Sequence, residues 1–70
     1  MNNFFGALTL PENWVYVIYE NGQTENVSNC DTLSENEALE LKKTWESRGA
    51  IKAVELRKAD KKSVLKRFDF

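Results

Sequence analysis

Trp14-Val15-Tyr16-Val17-Ile18-Tyr19 is followed at once by Glu20-Asn21-Gly22, and this junction decides the fold. All six residues of the first run are β-branched or aromatic, the composition of a strand that is apolar on both faces and therefore central in its sheet. Asn-Gly directly after such a run marks a hairpin, because both central positions of a type I′ turn require positive φ. A two-residue Asn21-Gly22 loop sets Tyr19 opposite Thr24, Ile18 opposite Glu25, Val17 opposite Asn26 and Tyr16 opposite Val27. The second strand is then largely polar, as suits a sheet edge.

Beyond this hairpin, Ser28-Asn29-Cys30-Asp31 reads as a loop. Thr32-Leu33-Ser34-Glu35-Asn36-Glu37 then carries two overlapping capping boxes, Thr32 with Glu35 and Ser34 with Glu37. Ser34 is the better cap, since it sets Leu33 before the cap and Ala38 at the fourth helical position, the pair of a hydrophobic staple. The helix is expected to run to about Arg48 and to stop at a left-handed Gly49. Ala38, Leu41 and Trp45 share one face, with Trp45 as an anchor on the sheet, and Leu39 falls off the stripe. Ile51 to Arg57 forms a third strand with Val54 and Leu56 on one face, Ile51 and Ala53 on the other. Ala59-Asp60-Lys61-Lys62 turns the chain into a fourth strand over Ser63 to Phe70, with Val64, Phe68 and Phe70 on one side and Lys66 among them. Residues 1 to 13 mix aromatics with Gly6 and Pro11 and read as an irregular arm or a short edge strand. Residues 1–70 thus make a single α+β domain of order ββαββ, a four-stranded antiparallel sheet with one helix packed on one face.

Seventy residues suffice for one core, with about 60% of the unfolded surface buried and on the order of 3–5 kcal/mol of net stability. Cys30 is the one cysteine, which excludes an intramolecular disulfide. Histidine is absent, which removes the commonest zinc ligand and the usual base for a Ser, Thr or Cys nucleophile. No glycine-rich phosphate loop occurs. A non-enzymatic domain is expected, with no catalytic residue, no metal site and no cofactor, and Cys30 is assigned no role. Asn26-Val27-Ser28 fits the glycosylation pattern. The first residues, however, carry no positive n-region and no apolar stretch near the roughly 20 residues of a bilayer span, so a cytoplasmic protein without a membrane role is expected.

A net charge of −1 hides a segregation. Up to Glu40 stand seven acids, Glu12, Glu20, Glu25, Asp31, Glu35, Glu37 and Glu40, and no base, a net of −7; from Leu41 onward ten bases face four acids, a net of +6. Two opposed electrostatic sides follow. The acidic side suits a basic groove on a partner protein, reached through Glu20, Glu25, Asp31, Glu35 and Glu37. Trp14, Tyr16 and Tyr19 serve this reading as aromatic anchors on the sheet face the helix leaves open. The basic side, Arg57, Lys58, Lys61, Lys62, Lys66 and Arg67 beside Phe68 and Phe70, suits nucleic acid. A pI near 5.4 and the many acids favour the protein partner over this alternative. A homodimer through the open sheet face is the third reading.

The segment Thr32-Leu33-Ser34-Glu35-Asn36-Glu37-Ala38-Leu39-Glu40-Leu41, with Trp45 beyond it, resembles the helix region of small phage-encoded proteins that inhibit host enzymes. Among these are the phage inhibitor of bacterial RNA polymerase and several anti-CRISPR proteins of similar size and ββαββ order. The basic final hairpin departs from that pattern. The resemblance implies a non-enzymatic inhibitor, encoded by a phage or mobile element, that acts in the host cytoplasm by occluding a nucleic-acid-binding surface.

Overall fold

The computed structural model describes residues 12–70, so the N-terminal arm lies outside the described residues except for Glu12 and Asn13. Strand β1 (Trp14–Tyr19) takes the central place its composition predicts. It pairs antiparallel with β2 (Thr24–Asn29) on one side and with β3 (Ile51–Arg57) on the other. Strand β4 (Val64–Asp69) pairs antiparallel with β3, which gives the sheet order β2-β1-β3-β4. Helix α1 (Glu35–Trp45) packs on one face against β3 and β1. The expected α+β architecture of order ββαββ is the observed one.

Val15, Val17 and Tyr19 alternate toward the helix, and Leu56 and Val54 lie opposite the two valines on β3. Leu33, Ala38 and Ile51 complete the core. Val15, Val17 and Val54 are fully buried, and each such side chain stabilises the fold by about 1.5–3 kcal/mol. At the helix start the Ser34 hydroxyl accepts the Glu37 backbone N–H at 3.1 Å, while the Glu37 carboxylate accepts the Ser34 N–H at 2.8 Å. This is the capping box expected from the sequence. Leu33 and Ala38 are both buried in the core, as the staple requires.

The first turn departs from expectation. Tyr19 N–H donates to the Gln23 carbonyl at 2.8 Å and Gly22 N–H to the Tyr19 carbonyl at 2.9 Å, so the loop is the three residues Glu20-Asn21-Gly22. Only Gly22 within it has positive φ, 91°, which is the arrangement of a turn closed by a glycine bulge. The register therefore slips by one, with Ile18 facing Thr24, Val17 facing Glu25 and Tyr16 facing Asn26. Such a slip turns every side chain to the other face, and it carries Glu25 to the helix side. Val27 is the extra residue of a bulge that then sets Val15 opposite Ser28.

Two further irregularities correct the expected faces. Ile18 faces Ala53 but Tyr19 faces Ile51, so Lys52 is passed over and Ile51 joins Val54 and Leu56 in the core instead of sharing a face with Ala53. In the second hairpin Lys66 and Phe68 lie opposite Leu56 and Val54, whereas Val64 lies opposite Arg57, away from the side of Phe68. Ser63 belongs to the turn because the Asp60 carboxylate accepts its N–H at 2.8 Å, and β4 begins one residue later than expected. The α-helix stops at Trp45, and a 3-10 turn over Glu46–Arg48 leads to Gly49 at φ 157° and ψ 156°, which is not the left-handed cap expected. A side chain at Gly49 would bring its Cβ to 3.2 Å from Tyr19 Cδ1, so the glycine serves close packing on that ring.

Candidate functional site

The side of the domain formed by the end of β2 and the first turns of α1 carries a shallow apolar groove of about 290 Å³. Ser28 and Cys30 line one wall, Leu33 and Leu41 lie along the groove, and Asn36, Glu37 and Glu40 form the helical rim. Its position follows from local sequence. The staple buries Leu33 at the mouth of the helix, and the spacing of 33, 37, 40 and 41 brings these side chains to one flank of α1. Cys30 Sγ lies 3.2 Å from Ser28 Oγ. The Ser34 N–H and hydroxyl hold the Glu37 carboxyl below the usual carboxylate range. Among the described residues neither Glu37 nor Glu40 has a basic partner within 4 Å.

The other acids named from the sequence fall in three places. Asp31 and Glu35 are exposed in the loop before the helix and on its first turn, next in sequence to groove residues Cys30 and Asn36. Glu20 is exposed in the first turn. Glu25 is spent within the fold, since its carboxylate accepts the Tyr19 hydroxyl at 2.7 Å and pairs with Arg48. Burial and this bond to a carboxylate raise the Tyr19 phenol above its ordinary value, the hydrogen bond being the larger cause.

Tyr19 is therefore not an anchor on the open face. It is buried under the helix side, while Trp14 and Tyr16 project to the opposite face, half-buried. There the Arg57 guanidinium covers Tyr16 at 4.4 Å and the Lys61 ammonium covers Trp14 at 4.8 Å. Beneath them Glu55, 5% exposed, accepts Arg57 Nε at 2.9 Å and pairs with Arg67, which in turn reaches Asp69 at 2.7 Å. Ile18 and Ala53, 6% and 0% exposed, are buried on this same face, so it offers less free apolar surface than the sequence suggests.

The six basic residues are likewise divided. Arg57 and Arg67 are tied to Glu55, and Lys66 lies toward the helix side over the Phe68 ring at 5.4 Å. Lys58, Lys61 and Lys62 share the exposed turn before β4. Sequence reasoning passed over Glu55, whose burial shows only once β1 and β3 are paired. It also passed over Leu33, Cys30 and Leu41 as a groove, because each reads as core or loop on its own. Among the described residues no three His, Cys, Asp or Glu side chains gather as a metal site would need, and no helix is long and apolar enough to cross a membrane. Compared with protein-family models, curated proteins and solved structures, the chain matches none.

Proposed function

We propose that the domain is a non-enzymatic protein-binding module whose acidic, grooved side receives a basic segment of a partner. The observation that carries this reading is the apolar groove between β2 and α1, rimmed by Glu37 and Glu40 and flanked by Asp31 and Glu35. An apolar slot supplies short-range affinity, and unpaired carboxylates around it steer a cationic partner and reject an anionic one. A protein groove built for phosphates has that cationic character. The resemblance of residues 32–41 to phage inhibitors supports the same reading in a host cytoplasm, with a nucleic-acid-handling protein as target.

Titration of a short Lys/Leu peptide into the protein tests the acidic side. Binding is expected to weaken steeply with salt and to weaken further when Asp31, Glu35 and Glu40 are changed together to Asn, Gln and Gln. These three are chosen because Glu25 and Glu37 have structural duties. Equal binding by the neutralised variant would overturn the reading.

A second reading rests on Lys58, Lys61 and Lys62 sharing one turn beside the Trp14 ring, an arrangement that suits stacked, single-stranded nucleic acid. It requires Lys61 to give up the ring to a base. Fluorescence anisotropy with a labelled oligonucleotide in dilute salt decides it, and a flat titration removes it.

A further inference from the structure

The fold carries, on its other edge, a segment with the chemistry the groove selects. Val64 and Leu65 are 49% and 47% exposed, adjacent large apolar residues at the start of β4. Lys61, Lys62 and Lys66 flank them in sequence. The turn presenting them is held by Asp60, whose carboxylate accepts the Lys62 and Ser63 N–H groups at 2.8 Å each, and by the Lys58 N–H to Ser63 carbonyl bond at 2.9 Å. Leu65 is passed over in the β3 to β4 register, the kind of irregularity that re-aims a side chain away from its ladder.

Groove and basic tip cannot meet within one molecule. Trp14 pairs with both Asn29 and Arg57, and Arg57 pairs with Val64. The two features therefore flank the same end of the sheet on opposite edges, three strand spacings or about 14 Å apart. We infer that the β3 to β4 hairpin of a second copy docks in the groove, its exposed Leu65 seated against Leu33 and Leu41 and its lysines facing Glu37 and Glu40. The contact joins unlike surfaces, so it leaves a free groove at one end and a free hairpin at the other, and it runs head to tail. Charge segregation along the chain, −7 before residue 41 and +6 after it, is what makes the two surfaces complementary. The receiving side rests on the groove reading proposed above; the donor side does not.

The experiment is light scattering and sedimentation on the intact chain and on two variants altered at exposed positions. Asn36→Lys with Glu40→Lys spoils the groove, and Lys62→Glu with Leu65→Ser spoils the tip. In dilute salt the mass of the wild-type protein is expected to rise above 8.1 kDa with concentration. It is expected to return to the monomer value above roughly 0.5 M salt, where the screening length falls to about 4 Å. Each variant alone is expected to remain monomeric, and an equimolar mixture to form a closed one-to-one dimer, because each supplies the surface the other lacks. A wild-type protein that stays monomeric overturns the inference while leaving peptide binding by the groove intact. Variants that both still self-associate overturn it by locating the contact elsewhere, such as the open sheet face, and a mixture that fails to associate overturns it as well.

Discussion

Tyr19 donates its hydroxyl proton to Glu25 at 2.7 Å across the first hairpin, on the helix side of the sheet, where Arg48 also reaches the same carboxylate. The bond exists because a three-residue loop moved Glu25 to that face. Tyr19→Phe removes a hydrogen bond to a charged acceptor and is expected to lower the midpoint of a urea melt with the slope unchanged. The raised phenol has a signed consequence. Its stabilising contribution is fully present below the unfolded tyrosine pKa and is lost as pH rises through the higher folded value. Absorbance titration of the phenol should move downward in Glu25→Gln.

Asp60 gives the opposite sign. Bonds from the Ser63 hydroxyl, the Ser63 N–H and the Lys62 N–H lower its carboxyl to about 2. A depressed acid contributes stability above its unfolded value near 3.8, and that contribution disappears as pH falls toward 2. The stability difference between the wild-type protein and Asp60→Asn is therefore expected to be flat above about pH 4 and to shrink between 4 and 2. Carbon-detected titration of the Asp60 carboxyl reads the same midpoint directly.

Glu55 is a buried acid between two arginines. Glu55→Gln leaves Arg57 and Arg67 facing a neutral acceptor and is expected to destabilise by about 1–3 kcal/mol. Glu35→Gln, on the exposed first turn, should stay within about 0.5 kcal/mol. Equal melting of the two variants would contradict the role given to the cluster.

Val54→Ala, at the centre of the core opposite Val17, is expected to cost about 2 kcal/mol. Against a margin of about 3–5 kcal/mol for a domain this small, that loss should lower the thermal midpoint markedly, and a shift of only a degree or two would show that this core relaxes around cavities.

The architecture was legible because it rests on local signals: an unbroken β-branched and aromatic run, an Asn-Gly turn, and a capping box with its staple. Central β1, polar edge β2 and the Ser34 start of α1 are all present as read. What escaped was one-residue detail. Turn type depends on whether Asn21 and Gly22 both take positive φ or Gly22 alone does, and the hydrophobic pattern of a strand apolar on both faces cannot arbitrate, since either register buries something. That single slip decided where Glu25 went, whereas Tyr19 shares the helix side with Val15 and Val17 by the alternation of β1 alone. The groove was invisible for a different reason, since it is made by Cys30, Leu33 and Leu41, whose neighbourhood is tertiary.

Lys52 marks the place where β3 carries one residue more than β1 can match, with Ile51 and Ala53 held to consecutive partners on either side of it. Excising that lysine would leave the inward and outward sets of both strands unchanged, whereas removing any residue between Ala53 and Arg57 would invert everything on one side of the cut. The middle of this sheet thus contains a single site where the reading frame of side chains tolerates a shortened backbone, and melts of such deletion variants should separate that site from its neighbours.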